Sequence, residues 1–299
     1  MNQVQIAKNI AQSLIPFKHQ IRRAKRSVFP YADNRENSNY CFEQGLEQIE
    51  ALRSAGVDLT GDVLEFGSGW MPIIPLLFHL SGARSITLTD IERLMDDHTI
   101  AMAKAVIEER IAEVAAVIGK PADELLRQLR EYAGFIYLAP WDLQSHPTGS
   151  VDLIISRAVF EHVPVSNLRV FLSEFHRILR TGGSMCHIVD NSDHWQHTDR
   201  SLSRMNFLRY SDGLYWKIVN MGVQNRLRHS DYEKMFSEFG FSVTVSDGQP
   251  DQKCMQDLLT LPLADRFKDY AHTDLAILTS LFVVSRKHDT SPVRASLAA

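Results

Sequence analysis

Short apolar runs, separated by longer amphipathic stretches, occupy the chain from about residue 61 onward. Runs of this length, bounded by polar or glycine-containing segments, predict strands. They are Val63–Phe66, Ser85–Asp90, Phe135–Leu138, Val151–Ser156, Ser184–Asp190, Phe241–Ser246 and Thr279–Ser285. The near-continuous apolar character of Val151–Ser156 is typical of a parallel strand that is buried on both faces. The pattern therefore predicts an α/β fold built on a seven-stranded sheet.

Helical periodicity fills most of the intervals between these runs and the segment before them. One helix is predicted before Pro16, and a second ends near Gly56. The apolar face of this second helix consists of Phe42, Leu46, Ile49 and Leu52. The stretch Asn37–Tyr40 is expected to belong to an irregular connection. Residues 91–133 predict two helices, broken at Gly119–Pro121.

Polar residues and glycines mark the remaining helix ends. Ser166 is expected to cap a helix that stops at Arg180–Gly183. A later helix is expected to begin with the capping box Ser230–Glu233 and to end at Gly240.

Composition narrows the class of protein. The chain has 299 residues, of which 44% are hydrophobic and 23% charged, and its net charge is −4. These are the values of a soluble globular protein. No apolar run is long enough to span a membrane, the first residues lack the layout of a signal peptide, and the three cysteines match no disulfide or zinc pattern. We therefore expect a cytoplasmic protein.

The charge also bears on the partner. A net negative chain has no overall attraction for nucleic acid. The cluster Lys18–Arg26 is basic, and it fits either an anion-binding patch or a solvated helix face. A nucleic-acid partner is therefore not expected, and a small molecule is the expected one.

The stretch Gly61–Trp70 carries the most informative motif. The first predicted strand runs into Gly67-Ser68-Gly69, where two glycines allow a sharp turn and leave space for a ligand. The third position of the dinucleotide fingerprint G-x-G-x-x-G is Pro72, and Glu65 precedes the turn. A carboxylate at that place repels a pyrophosphate and attracts a cation.

This motif resembles motif I of the class I S-adenosylmethionine-dependent methyltransferases, E/D-x-G-x-G-x-G, with Met71 in place of the third glycine. The resemblance extends over Gly61–Ser285 in the order of the family. It implies a Rossmann-like, doubly wound sheet whose last strand is antiparallel, with S-adenosylmethionine (SAM) as cofactor. Asp90 ends the second strand, where an acidic residue binds ribose hydroxyls.

Further cofactor contacts follow from the resemblance. Asp142 matches the acid that faces the adenine amine, and Trp141 is expected to pack either on the adenine plane or in the core. The other residues expected at the cofactor are neighbours of these motifs, namely Glu65, Gly67, Ser68, Gly69, Ile91, Ser156 and Arg157.

The segment Arg157–Val163 resembles the part of small-molecule methyltransferases that follows the fourth strand. His162 is the first candidate for a general base, with Glu161 beside it and with His187 or His194 as further candidates. Some relatives hold a metal with E-x-x-E-H and a distant histidine. Because Ala158 occupies the first position of that pattern, no metal site is predicted.

Three insertions are expected on the substrate side of a domain that spans residues 61–286, at about 94–133, 191–229 and 247–278. The second is rich in histidine and aromatic residues, and His194 and Trp195 are candidate acceptor contacts. Residues 1–60 are expected to form a helical cap in which Tyr31 and Tyr40 lie over the site. Residues 287–299 are predicted to be a flexible tail.

The resulting hypothesis is a methyltransferase that moves a methyl group from SAM to an oxygen or nitrogen of a small molecule by in-line displacement. Two alternatives use the same glycine turn. One is a nicotinamide-dependent oxidoreductase, which Glu65 and Pro72 disfavour. The other is a nucleotide-binding partner protein without catalytic activity.

Overall fold

A seven-stranded mixed sheet forms the centre of the molecule. The structure is a computed structural model that describes residues 34–132, 134–197, 199–219 and 224–287. The strands are β1 Asp62–Phe66, β2 Ser85–Thr89, β3 Ile136–Leu138, β4 Val151–Arg157, β5 Leu179–Asp190, β6 Phe241–Asp247 and β7 Thr279–Arg286. All seven predicted strands are present. Predictions on residues 1–33, including Lys18–Arg26 and Tyr31, and on residues 288–299 lie outside the described part.

The strand order is β3-β2-β1-β4-β5-β7-β6. The first five strands pair in parallel, while β7 is antiparallel to both of its neighbours. The order reverses beside β1, so the carboxyl ends of β1 and β4 face the crevice where open α/β sheets bind ligands. The predicted doubly wound sheet with an antiparallel last strand is confirmed.

Helices cover both faces of the sheet. Their bounds are α1 Arg35–Ser54, α2 Ile73–Ser81, α3 Asp97–Glu109, α4 Ile111–Ile118, α5 Ala122–Glu131, α6 Val165–Ile178, α7 Asp212–Leu214, α8 His229–Glu238, α9 Gln252–Asp257 and α10 His272–Leu275. Two apolar cores result, one on each side of the sheet. None of the helices in the described ranges is long and apolar enough to cross a membrane.

Helix α1 begins earlier than expected, because Asn37–Tyr40 is helical rather than irregular. Ser38 in its first turns is 1% exposed, and its hydroxyl contacts the sulfur of Met71. Farther along, Gln48 Nε2 donates to the carbonyls of Ser156 and Cys186 at 2.9 and 3.3 Å. Tertiary packing thus overrides the low helix propensity of Asn and Ser and joins α1 to β4 and β5.

Other helix ends also differ from the predictions. Residues 97–131 form three helices instead of two, since Arg110 separates α3 from α4; the predicted break after Gly119 is present. Pro164 rather than Ser166 precedes α6, and α6 ends at Ile178, so Arg180–Gly183 lies inside β5.

The start of α8 is likewise two residues earlier than expected. Its capping residue is Arg228, whose backbone N–H donates to Asp231 Oδ2 at 2.8 Å. The predicted capping box Ser230–Glu233 therefore lies two residues too far along the chain.

The two later insertions share a third apolar core. It consists of Met205, Phe207, Leu208, Tyr215, Val219, Cys254, Leu258, Phe267, Leu275 and Ala276. The aromatic side chains Phe207 and Tyr215 are therefore buried between the insertions and do not face a ligand. This core gives the loops around the crevice a fixed support.

Candidate functional site

The glycine turn is tied to the end of the neighbouring strand. The N–H groups of Gly67 and Ser68 both donate to the carbonyl of Thr89, at 2.9 and 3.0 Å. The hydroxyl of Thr89 returns a 2.7 Å hydrogen bond to the carbonyl of Glu65. The turn after β1 therefore has a fixed position relative to the end of β2.

The two glycines of the turn are required for different reasons. Both have positive φ, +76° at Gly67 and +62° at Gly69, which disfavours other residues. A Cβ on Gly67 would lie 2.6 Å from Val159, whereas a Cβ on Gly69 would meet no atom within 4 Å. Gly67 thus allows close packing of the chain on itself, while Gly69 leaves open space beside the turn.

Asp90 adjoins this open space. Its carboxylate accepts hydrogen bonds from the N–H groups of Gly69 and Ile91, at 2.9 and 2.7 Å. Burial raises the pKa of Asp90 in spite of these hydrogen bonds. The side chain of Ile91 is 81% exposed. The structure therefore brings the predicted ribose-binding acid directly to the glycine turn.

Glu65 lies beneath the turn and is 6% exposed. Burial raises the pKa of its carboxyl to about 8, and the charge of Asp90 adds to this shift. A hydrogen bond from Ser68 and the charge of Arg157 oppose it. Its Oε2 atom has no hydrogen-bond partner among the described residues. A cleft of about 200 Å³ opens here, and its lining includes Glu65, Gly67, Ser68 and Gly69.

Trp141 and Asp142 follow β3 at the same edge of the sheet. The N–H of Trp141 donates to the carbonyl of Asp90 at 3.0 Å, and its ring packs 6.2 Å from that of Phe66. The indole Nε1 is buried without a partner in the described ranges. The carboxylate of Asp142 accepts from Gln144 N at 3.2 Å and caps a short 3₁₀ helix.

The chain bends sharply after β4. Ala158 has φ +53°, a left-handed conformation that is uncommon for alanine and is found often at functional sites. Next to it, Arg157 donates to Gln44 of α1 at 2.6 Å and lies over the ring of Tyr40. The bend leads into the 3₁₀ helix Phe160–His162. Arg157 thereby connects α1 to the crevice.

Beyond this bend lies a larger cleft of about 1030 Å³. Its lining comes from α1, from the ends of β4 and β5 and from the insertion after β5, and it includes Tyr40, Arg157, Ala158, Glu161, His162, Asp190, Ser192, His194, His197, Arg200 and Arg204. The rings of His162 and His194 lie 4.9 Å apart. The two histidines, which are 32 positions apart in the chain, are therefore neighbours.

Acidic groups surround these histidines. Glu161 is 2% exposed, and burial, together with the charge of Asp190, raises its pKa well above the ordinary value. His194 Nε2 lies 3.3 Å from Asp190 Oδ2. Burial opposes ionisation of Asp190, but the contact with His194 and hydrogen bonds from Ser192 outweigh it and lower the pKa.

Several predicted site residues lie away from both clefts. His187 is completely buried, stacks near Phe160 and Phe236, and bonds through Nδ1 to Ser156 Oγ at 2.8 Å. Burial lowers the pKa of His187 to about 3. His187 and the side chain of Ser156 therefore line neither cleft, and their expected contacts with a ligand stay predictions. Trp195 packs against the third apolar core.

Sequence reasoning missed other residues of the larger cleft. Asp190 could have been found, because it ends β5 at the edge where the other functional residues lie. His197, Arg200 and Arg204 belong to an insertion without periodicity, so no pattern in the sequence predicted which of its side chains face inward.

The sheet order, the glycine turn after β1 and the acid after β2 together define a nucleotide-binding α/β protein of the class I methyltransferase type. Residues 19–245 match the family described as "Methyltransferase domain". The chain belongs to this family and is a methyltransferase. The oxidoreductase alternative is thereby set aside.

Solved structures with similar folds include an S-adenosylmethionine-dependent methyltransferase from Mesorhizobium loti, with 15% identity, a TM-score of 0.44 and coverage of 79% of this chain and 96% of that one. A candidate methyltransferase from Bacillus halodurans has 14% identity and a TM-score of 0.47, with coverage of 81% and 99%. Magnesium protoporphyrin IX methyltransferase from Synechocystis, solved with bound S-adenosylhomocysteine (SAH), has 13% identity and a TM-score of 0.46, with coverage of 94% and 99%. No curated protein matches the chain. Similarities of this size carry no conclusion about the acceptor.

Proposed function

We propose that the protein transfers the SAM methyl group to an oxygen or nitrogen of a small molecule bound in the larger cleft. The observation that carries this proposal is the junction of the two clefts. Arg157 and Ala158 line both the small cleft at the glycine turn and the larger cleft beside the histidines. A sulfonium held in the first cleft would face an acceptor in the second.

The cofactor would lie along the carboxyl ends of β1 and β2. Asp90 would bind the ribose hydroxyls, and Gly69 would allow the cofactor to approach the backbone. The carboxyl of Glu65, whose pKa is about 8 in the protein without ligand, would ionise when the cationic half of SAM binds beside it. Asp142 and Trp141 are proposed at the adenine. Since the methyl donor is already activated, correct positioning supplies much of the rate, up to about 7–11 kcal/mol.

His162 is the proposed proton acceptor for the incoming hydroxyl or amine. It is exposed in the larger cleft beside His194, whereas His187 is buried in the core. Arginines and carboxyl groups both line this cleft, namely Arg157, Arg200, Arg204, Glu36, Glu43, Glu161 and Asp190. A polar acceptor with a negative group could pair with the arginines. The three cysteines have free thiols, which suits the reducing cytoplasm.

The test measures the release of SAH from SAM in the presence of a panel of small hydroxy acids and amino acids. We expect turnover with at least one member. A general base contributes about 10²–10⁴-fold, so His162→Ala should reduce turnover by that order while the affinity for SAH stays within about twofold. Turnover that is unchanged in His162→Ala would remove the proposed role of this residue.

His197→Ala is the matched control. His197 lines the same cleft and stacks on His194 at 5.1 Å, but it follows β5 rather than the bend at Ala158 and is not in the proposed base position. Its substitution should change turnover much less than His162→Ala. Equal losses in both variants would indicate a general disturbance of the cleft.

A further inference from the structure

Three potential metal ligands converge on the larger cleft. Glu161, His162 and His194 each offer one donor atom, and these three atoms all lie within 4.8 Å of one another. Glu161 and His162 belong to the 3₁₀ helix after β4, and His194 begins the 3₁₀ helix after β5. The fold therefore assembles two imidazoles and one carboxylate from two separate loops.

The state of Glu161 is an independent sign of a missing ligand. Its side chain is 2% exposed, and neither carboxylate oxygen has a hydrogen-bond partner among the described residues. The N–H groups of Glu161 and Asp190 stabilise the carboxylate electrostatically, but neither forms a hydrogen bond with it. A buried carboxyl without partners is costly, and groups of this kind are usually paired or bound to a metal.

Asp190 supports the same conclusion. Its Oδ2 atom lies 3.3 Å from Nε2 of His194. Histidines that bind metals commonly use their second ring nitrogen to contact a carboxylate, which fixes the orientation of the ring. Asp190 is itself held by Ser192, whose N–H and hydroxyl donate to Oδ1 at 2.8 and 2.6 Å.

We propose that Glu161, His162 and His194 bind a divalent transition-metal ion in the larger cleft, with Asp190 orienting His194. Two imidazoles and a carboxylate suit Zn²⁺ and its borderline neighbour Co²⁺ better than Ca²⁺ or Mg²⁺. A tetrahedral site with bonds of about 2.1 Å places its ligand atoms about 3.4 Å apart. Because the three donor atoms lie within 4.8 Å of one another, coordination requires them to approach by at most about 1.4 Å, which a change of rotamer at the exposed His162 can supply.

The metal deepens the proposed function, on which this part of the inference rests, and changes one role in it. His162 becomes a metal ligand instead of the proton acceptor. An acceptor hydroxyl that binds the ion from the cleft would have a lowered pKa and would release its proton to solvent in the open cleft. Metal binding itself does not depend on methyl transfer. The sequence did not reveal this site for two reasons. Ala158 replaces the first glutamate of E-x-x-E-H, and His194 and Asp190 come from another loop.

The first test is calorimetric titration of the chelator-treated full-length protein with Zn²⁺. The second is titration with Co²⁺, whose visible absorption reports tetrahedral coordination. We expect one ion per chain. His162→Ala and Glu161→Gln should weaken binding by more than the roughly 10–100-fold that loss of an outer-shell partner costs, and Asp190→Asn should fall in that range. His197→Ala should retain the affinity of the wild type.

Thermal unfolding of each variant separates a lost ligand from a lost fold. His162 is exposed, so His162→Ala keeps the test valid even if Glu161→Gln fails to fold. Absence of saturable binding in the wild type, or equal affinity in the wild type and His162→Ala, would overturn the metal site. SAH binding measured in the same samples reports the cofactor cleft separately, so failure of either proposal is recognised by itself.

Discussion

Replacement of Gly69 by alanine tests whether the glycine turn binds the cofactor, independently of its role in the fold. Gly69 has φ +62°, and a Cβ added there meets no protein atom within 4 Å. The substitution therefore adds backbone strain of about 1–2 kcal/mol but no clash within the empty protein. If the open space beside Gly69 holds the cofactor, the new methyl group meets the ligand instead.

The magnitude follows from the cost of one extra methyl group in a filled site. Overpacking of this kind costs about 1–3 kcal/mol, so the dissociation constant for SAH should rise by about 5-fold to 140-fold. Calorimetry with SAH measures this value directly, and thermal unfolding without ligand measures the strain.

Gly119→Ala provides the matched control. Gly119 ends α4 with φ +77°, and a Cβ there also meets nothing within 4 Å. Both substitutions should therefore lower the melting temperature by similar amounts, while Gly119→Ala leaves SAH affinity unchanged. Equal SAH affinity in the wild type and Gly69→Ala would refute the placement of the cofactor at this turn.

Three further predictions concern packing and pH. Gly67→Ala should destabilise the fold far more than Gly69→Ala, because its Cβ would lie 2.6 Å from Val159; similar melting temperatures of the two variants would contradict this. The pKa of Glu65 is about 8 in the folded state, above its ordinary value, so its contribution to stability is present at low pH and is lost as the pH rises through 8. Glu65→Gln should therefore gain about 2–4 kcal/mol relative to the wild type between pH 5 and pH 9, measured by urea unfolding; a constant difference would contradict it. The pKa of His187 is about 3, below its ordinary value, so its contribution is present above pH 6.5 and is lost as the pH falls. His187→Phe loses the hydrogen bond to Ser156. When the pH falls from 6.5 to 5, the variant should lose about 2 kcal/mol less unfolding free energy than the wild type. The same pH dependence of unfolding free energy in both proteins would refute the assignment.

The sheet was predictable because its strands are governed by local pattern. The buried run at β4 and the glycine turn after β1 have few alternative structures, and Asp90 follows from its distance to that turn. The boundaries of helices were less predictable. The start of α1 depends on burial of Ser38 against Met71, a contact between residues 33 positions apart.

The candidate site was only partly predictable for the same reason. The sequence identifies Glu161 and His162 as chemically interesting, but not that His194 and Asp190 lie beside them. It also could not separate His162 from His187. His162 lies in a 3₁₀ helix after β4 and His187 lies within β5, and the burial of each depends on how the helices pack on the sheet. Contacts between loops depend on the whole fold and leave no periodic signal.

A crystal structure with bound SAH tests the placement of the cofactor, and with it the proposed reaction, most directly. We expect the ribose hydroxyls at the carboxylate of Asp90, the ligand packed against the backbone of Gly69, and the sulfur directed toward the junction at Ala158. SAH bound elsewhere, or with its sulfur turned away from the cleft that contains His162, would contradict this placement.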